Sequence, residues 1–281
     1  MTMTFGNLHA QSRKKKKNKT SYAKGTMFGY WGYNRSAYTK SNLRFVGDGY
    51  DFTLKKAKAS DNQSSDVKDY FDLGNLTVPQ FNARLGYYFK DKYAISFGYD
   101  HMKYLFNDRN HVFLDGYIRP GLDTVWTEGT YNDKQVTTNR ENFHYENSNG
   151  LNYLHFELMR SEMLYRTKNR KFAITANIGL GLGGLLSFND FDFAQRKDMV
   201  TISMSGYAAS AHLSMRFEFF NHFFLQAEMN GGFMHQVKVK TRPNDLTAYA
   251  TQKYGYGMGQ IVGGFFLYLK PTNGCDDCPR W

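Results

Sequence analysis

The sequence predicts an all-β fold: a closed antiparallel transmembrane β-barrel of eight strands, with ten as the alternative count. Three observations point there. Long segments alternate apolar residues with small or polar ones at a period of two. Aromatic residues make up 17% of the chain and glycine fills 26 positions, while proline is held to 5. That composition favours strands over helices. Tight turns also alternate along the chain with long polar connections.

The alternation is clearest in KFAITANIGLGLGGLLSF, Lys171 to Phe188. One alternate set is Phe172, Ile174, Ala176, Ile178, Leu180 and Leu182. The other is Ala173, Thr175, Asn177, Gly179, Gly181 and Gly183. A helix needs apolar spacing of three and four, and each glycine in its interior would cost about 1 kcal/mol. The stretch therefore reads as one strand with a greasy face and a small, polar face. Strands of soluble domains run about 5–6 residues. This one is far longer, and so are the segments from Tyr207 and His222. Long dyad segments place apolar residues against lipid and polar ones in a lumen, and only a closed sheet satisfies the backbone there. With 22% charged residues and a mean hydropathy of -0.60, a bundle of membrane helices is excluded.

The spacing predicts strands near 26–37, 79–89, 92–105, 151–166, 171–187, 201–220, 222–238 and 254–270. Tight connections fall at Lys90 to Lys92, Thr167 to Lys171 and Asn221 to His222. The long connections are 38–78, 106–150, 188–200 and 239–253. The first two are too long for plain connectors, and such loops are often functional. Both hold strand-like pieces, from Tyr50 and from His111, expected to extend the barrel beyond the membrane or cap it. If they span instead, the count becomes ten. The stretch Asn107 to Gly150 is slightly acidic, with seven Asp/Glu against four Lys/Arg.

An eight-stranded interior is just wide enough for side chains to fill. The inward faces carry Arg84 and Arg216 with Asp100, Glu157, Glu218 and Glu228. Unpaired buried charge is expensive, so these six are expected to form a polar network that plugs the lumen. A narrow path for water or small ions is the alternative. Near the outer end of the 92–105 strand, Asp100 turns inward while His101 and Lys103 turn outward. That pair suits an interfacial belt whose polar ends reach the headgroups, or a contact to headgroup phosphate.

The ends are distinct from the barrel at 25–270. Net charge is +11, and six of those charges sit in the run Arg13 to Lys19, leaving +5 for the rest. Like-charge blocks stay solvated, and no basic face elsewhere supports nucleic-acid binding. LHAQS, from Leu8, has the small-residue ending of a signal-peptidase site without its apolar lead. Residues 1–24 are therefore expected to be a signal remnant and a disordered basic arm. In the tail 271–281, Cys275 and Cys278 form one CxxC. One such pair cannot fill a tetrahedral zinc site, and no βαβ pattern surrounds it. A local disulfide or a solvated tail is expected. GLGLGG lacks the following helix a phosphate cradle needs, so no cofactor and no metal are expected.

The last strand, GQIVGGFFLYLK from Gly259 to Lys270, resembles the terminal assembly signal of outer-membrane proteins. With the dyad pattern over most of the chain, the sequence resembles the small outer-membrane β-barrels of the OmpA/OmpX type. The resemblance implies the outer membrane of a Gram-negative bacterium, with both termini periplasmic. It implies lipid, lipopolysaccharide and the barrel assembly machinery as partners. His212 and Ser214 on one strand face, with Glu228 on the next strand, also resemble the His-x-Ser set of lipid A deacylases. In such a set the imidazole takes the serine proton and the carboxylate orients the ring. The reading is a non-enzymatic barrel whose outer loops bind a ligand or partner, or cap a narrow pore. A lipid A-modifying hydrolase and a small-solute porin are the alternatives.

Overall fold

A computed structural model describes residues 20–61, 79–197 and 200–269. The signal remnant, the lysine-rich run and the CxxC tail lie outside the described residues. Among those described there are thirteen strands and no helix. They are β1 (Thr26–Tyr38), β2 (Ser41–Gly47), β3 (Tyr50–Ala57), β4 (Ala59–Ser60), β5 (Phe81–Lys90), β6 (Tyr93–Phe106) and β7 (His111–Ile118). They continue with β8 (Thr130–Thr137), β9 (His144–Arg166), β10 (Phe172–Asp192), β11 (Thr201–Phe219), β12 (Phe223–Lys240) and β13 (Tyr249–Tyr268).

Eight of them close a ring in the order β1, β5, β6, β9, β10, β11, β12, β13 and back to β1. Every neighbouring pair in the ring is antiparallel. The expected eight spans are these eight strands. The strand-like pieces of the two longest connections do not add spans. β2 instead pairs with β13 over Tyr249 to Gln252, and β3, β7 and β8 follow it outward in one ribbon. The reason is geometric. β1 ends at Tyr38 opposite Tyr256, so the first residues of β13, from Tyr249, would present a bare edge. Unpaired edges invite association, and β2 covers this one.

The outer surface carries the greasy set. Leu180, Met229 and Ile261 are 67%, 76% and 71% exposed, a contiguous apolar exterior that a water-soluble monomer does not tolerate. Aromatic rings gather at the end with short turns, where Phe172 lies 5.5 Å from Phe219. There Phe220 and Asn221 both take positive φ, 54° and 61°. Phe219 pairs with Phe223, so the turn has three residues, one more than the sequence suggested, with its positive φ angles suited to the strand twist.

Three strands run farther than expected. β9 starts at His144 rather than 151, β10 reaches Asp192 rather than 187, and β13 starts at Tyr249 rather than 254. Beyond the apolar belt their apolar side chains turn inward and form a second core with β2, β3 and β7. Phe45, Phe52, Phe143, Tyr145, Phe191 and Trp126 fill it. That burial holds the extensions straight where a loop would otherwise begin.

Residues 20–24 depart from the expected disordered arm. Ser21 is 4% exposed, and its Oγ donates to Glu218 at 2.8 Å. The Lys92 amide donates to the Tyr22 carbonyl at 2.9 Å. The segment caps the short-turn end because a buried carboxylate there needs a donor and the Lys92 amide needs an acceptor.

Candidate functional site

The lumen is filled in three layers. At the short-turn end, Phe28, Tyr30, Tyr88, Phe224 and Phe266 pack against one another. At the long-loop end lies the second core described above. Between them sits a charged layer.

Arg84 on β5 is its hub. Its Nη1 lies 2.7 Å from Glu157 Oε2 and 3.7 Å from Glu228 Oε1, and its Nη2 lies 3.5 Å from Asp100 Oδ1. His155 Nε2 meets Asp100 Oδ2 at 3.1 Å, and His212 Nδ1 meets Glu157 Oε2 at 3.0 Å. Asn82 donates to Asp100, and Gln226 and Gln260 donate to Glu228. Two inward glycines make room for the rings. A Cβ on Gly98 would stand 2.4 Å from His155 Nε2, and one on Gly179 would stand 2.4 Å from His212 Cε1. Three carboxylates thus surround one guanidinium and two imidazoles, all sealed from solvent.

Of the six residues expected in the lumen network, Arg84, Asp100, Glu157 and Glu228 meet. Arg216 and Glu218 do not join them. Arg216 stacks its guanidinium over Phe28, Phe224 and Phe266 at 5.1, 4.5 and 5.4 Å, and donates from Nε to Gln226 Oε1 at 2.8 Å. A planar, weakly hydrated guanidinium suits such aromatic faces. Glu218 instead accepts from Ser21 and from Thr175 Oγ1, each at 2.8 Å. The sequence reading missed His155, Asn82, Gln226 and Gln260. Their strand parity was the available signal, since His155 shares a face with Glu157.

The His-x-Ser residues do not form a relay. His212 is engaged by Glu157, and Ser214 Oγ accepts from Asn177 Nδ2 at 3.0 Å. Glu228 is held by the two glutamines. His101 is covered rather than presented to headgroups. Its ring stacks on Phe81 at 5.3 Å, its Nδ1 lies 2.7 Å from Asn152 Oδ1, and the residue is 8% exposed.

A different surface is open. Where β2 joins β13, an outward recess of about 430 Å³ is lined by Lys40, Asn42, Arg44, Thr53, Thr251 and Lys253. It lies just beyond the apolar belt on the long-loop side. Arg44 is clamped by Asp51, Nε to Oδ1 at 2.7 Å and Nη2 to Oδ2 at 2.6 Å. That bidentate hydrogen bond holds the Asp51 carboxyl below its ordinary range. Lys40 and Lys253 are exposed and make no ion pair among the described residues. Lys253 is far in sequence from Lys40 and Arg44, and the β2–β13 pairing brings it beside them.

Solved structures of outer-membrane proteins are similar to the chain at low sequence identity. A solved structure of AlkL in lipid bilayers is 11% identical, with a TM-score of 0.43, covering 96% of this chain and 98% of that one. OprG from Pseudomonas aeruginosa is 9% identical, with a TM-score of 0.41, covering 88% and 98%. The protease OmpT from Escherichia coli is 9% identical, with a TM-score of 0.33, covering 86% and 96%. No protein-family model and no curated protein sequence matches the chain.

Proposed function

We propose that this chain is a non-conducting outer-membrane barrel that carries a folded extracellular platform and binds an anionic headgroup at the platform's base. The observation that carries the reading is the lumen, filled at every level by aromatic, charged and again aromatic side chains. A solute path needs a continuous wet channel, and this interior supports a plug. The long-loop end, with β2, β3, β7 and β8, is the extracellular side in this reading, which leaves the short turns periplasmic.

The basic recess then lies at the level of lipid headgroups. Lys40 and Lys253, without an ion pair among the described residues and flanked by hydroxyls and amides, suit phosphate carried on a sugar, as in lipopolysaccharide. The carboxylates and imidazoles of the charged layer, His212 and Glu228 among them, stay in the lumen, away from any acyl chain. That placement favours binding over the hydrolase alternative.

Two measurements test the proposal. Planar bilayers with the refolded barrel should show no unitary conductance, and a stable channel defeats the plug. Binding of lipopolysaccharide to detergent-refolded protein should weaken in Lys40→Ala/Lys253→Ala, and removing the ligand's phosphates should weaken it similarly. Affinity indifferent to both changes removes the recess as the site.

A further inference from the structure

The short-turn end of the ring carries positive charge of its own, at the opposite end of the barrel from the basic recess. Residues 90–92 and 160–171, with Lys24, hold eight Lys/Arg against two carboxylates, Asp91 and Glu162. The two segments belong to neighbouring hairpins, because β6 pairs with β9. The Ser161 amide donates to the Lys92 carbonyl at 2.8 Å and ties them together. The carboxylates leave most of this charge uncompensated. Asp91 Oδ1 accepts from the Lys24 amide at 2.8 Å, and Glu162 is shared between Lys92 at 2.6 Å and Arg160 at 3.6 Å. Lys90, Lys168 and Lys171 are exposed and make no ion pair among the described residues.

Arg160 places part of this charge on the lipid-facing wall. It shares the outward face of β9 with Phe156 and Leu158, which are 62% and 55% exposed. Its cross-strand partners are Tyr93 on β6 and Ile178 on β10. Tyr93 is the first residue of β6, so this register line lies where that strand leaves the apolar belt. A cation on the lipid face is costly except near the interface, where long basic side chains reach the headgroups. Lys90 arrives at the same point from the preceding turn. Its Nζ lies 5.5 Å from the centre of the Tyr93 ring, and Arg160 Cζ lies 5.9 Å from it. Two cations from different strands thus converge on one aromatic ring, and aromatic rings at strand ends mark the headgroup level.

We infer that this rim docks an acidic phospholipid, with the headgroup phosphodiester against Lys90 and Arg160 and an acyl chain along Ile95 and Leu158. Ile95 and Leu158 are direct cross-strand partners one step further into the belt, so one amphiphile meets the cations and the apolar wall together. A guanidinium and an ammonium both favour phosphate oxygens, and basic residues at a membrane boundary attract anionic lipid. A soluble polyanion fits less well. It would reach the turn-tip lysines, Lys168 and Lys171, but Arg160 stands on the wall that lipid covers. The inference depends on neither the recess nor a closed lumen, since it uses only the exterior of the short-turn end.

The test uses the full chain refolded in an uncharged maltoside detergent. Calorimetric titration with dihexanoyl-phosphatidylglycerol should saturate, and dihexanoyl-phosphatidylcholine should bind far more weakly. Lys90→Gln/Arg160→Gln should weaken phosphatidylglycerol binding by about tenfold or more, the loss of two cations at an anionic contact. Lys40→Ala/Lys253→Ala, at the other end of the barrel, should stay within about twofold of the parent, as distant sites do, so this test and that of the recess fail separately. Glycerol 3-phosphate supplies the anion without the chains and should bind poorly. Equal affinity for it would show a site for free phosphate and overturn lipid docking. A larger loss in Lys168→Gln/Lys171→Gln than in Lys90→Gln/Arg160→Gln would place the anion at the turn tips and overturn it as well. No preference for phosphatidylglycerol over phosphatidylcholine in the parent protein ends the inference without recourse to any variant, and circular dichroism checks that each variant refolds.

Discussion

Arg84 Nη1 lies 2.7 Å from Glu157 Oε2, and each side chain is 1% exposed. Bulk solvent does not reach either charge, so the pair acts through the cost of breaking it. Arg84→Ala leaves Asp100, Glu157 and Glu228 facing one another and should destabilise the barrel by about 3–5 kcal/mol. Replacing both partners, as Arg84→Met with Glu157→Gln, should recover part of that loss. Urea unfolding in detergent, followed by tryptophan fluorescence, reads both. A loss under about 1 kcal/mol for Arg84→Ala would mean water reaches this layer, which contradicts a sealed lumen.

The two lumen histidines depend on glycines across the ladder. Gly98→Ala drives a Cβ into a ring fixed by Asp100 and stacked on Tyr153 at 4.3 Å. Overpacking of this kind costs about 1–3 kcal/mol. Gly259→Ala is the control, because its Cβ meets nothing within 4 Å. It should stay within about 0.5 kcal/mol of the parent. Equal effects at the two positions would show that strand propensity, and not the histidine, sets the requirement at Gly98.

Phe45 and Phe191 stack at 4.8 Å with planes 6° apart, joining β2 to β10 across the second core. Phe45→Ala should cost the platform about 3–5 kcal/mol. The outward-facing side chains of the ring, such as Leu180 and Ile261, stand outside this packing. Limited proteolysis should therefore cut within β2, β3 or β7 while a protected core of ring strands persists. Uniform loss of the whole barrel would show that the platform and ring fold as one unit.

The ring was legible because lipid imposes a strict dyad code. Ile174 to Leu182 display it without interruption, and strand number and order follow from the turns between such runs. The platform was harder to read. On β6 the apolar residues are Ile95, Phe97 and Tyr99, then Met102, Tyr104 and Phe106, so the greasy side moves from outside to inside within one strand. That parity switch is present in the sequence, but it marks a core only once β2 and β3 are known to close over it. The charged layer was half legible. Parity gave Arg84, Asp100, Glu157 and Glu228 a common side, but not their height. Arg216 has the same parity and stands among aromatic rings instead. The basic recess depends on cross-strand register, which no local pattern carries.

Asp51 masks one of the three cations at the recess, and its titration gives the mask a direction. The hydrogen bond from Arg44 lowers the Asp51 carboxyl below its unfolded value of about 3.9. A depressed carboxylate contributes stability above the unfolded value and loses it as pH falls through the folded one. Between pH 7 and pH 5 Asp51 therefore stays ionised and Arg44 stays engaged. A sulfated oligosaccharide, whose charge is constant over this range, should bind the parent protein equally at both pH values. Asp51→Asn frees the guanidinium and should bind the probe several-fold more tightly at both. The parent should approach that affinity only below about pH 4, as Asp51 takes up its proton. Calorimetric titration across this series decides the matter. An Asp51→Asn affinity no higher than the parent's would mean that Arg44 does not reach the bound anion, leaving Lys40 and Lys253 to hold it.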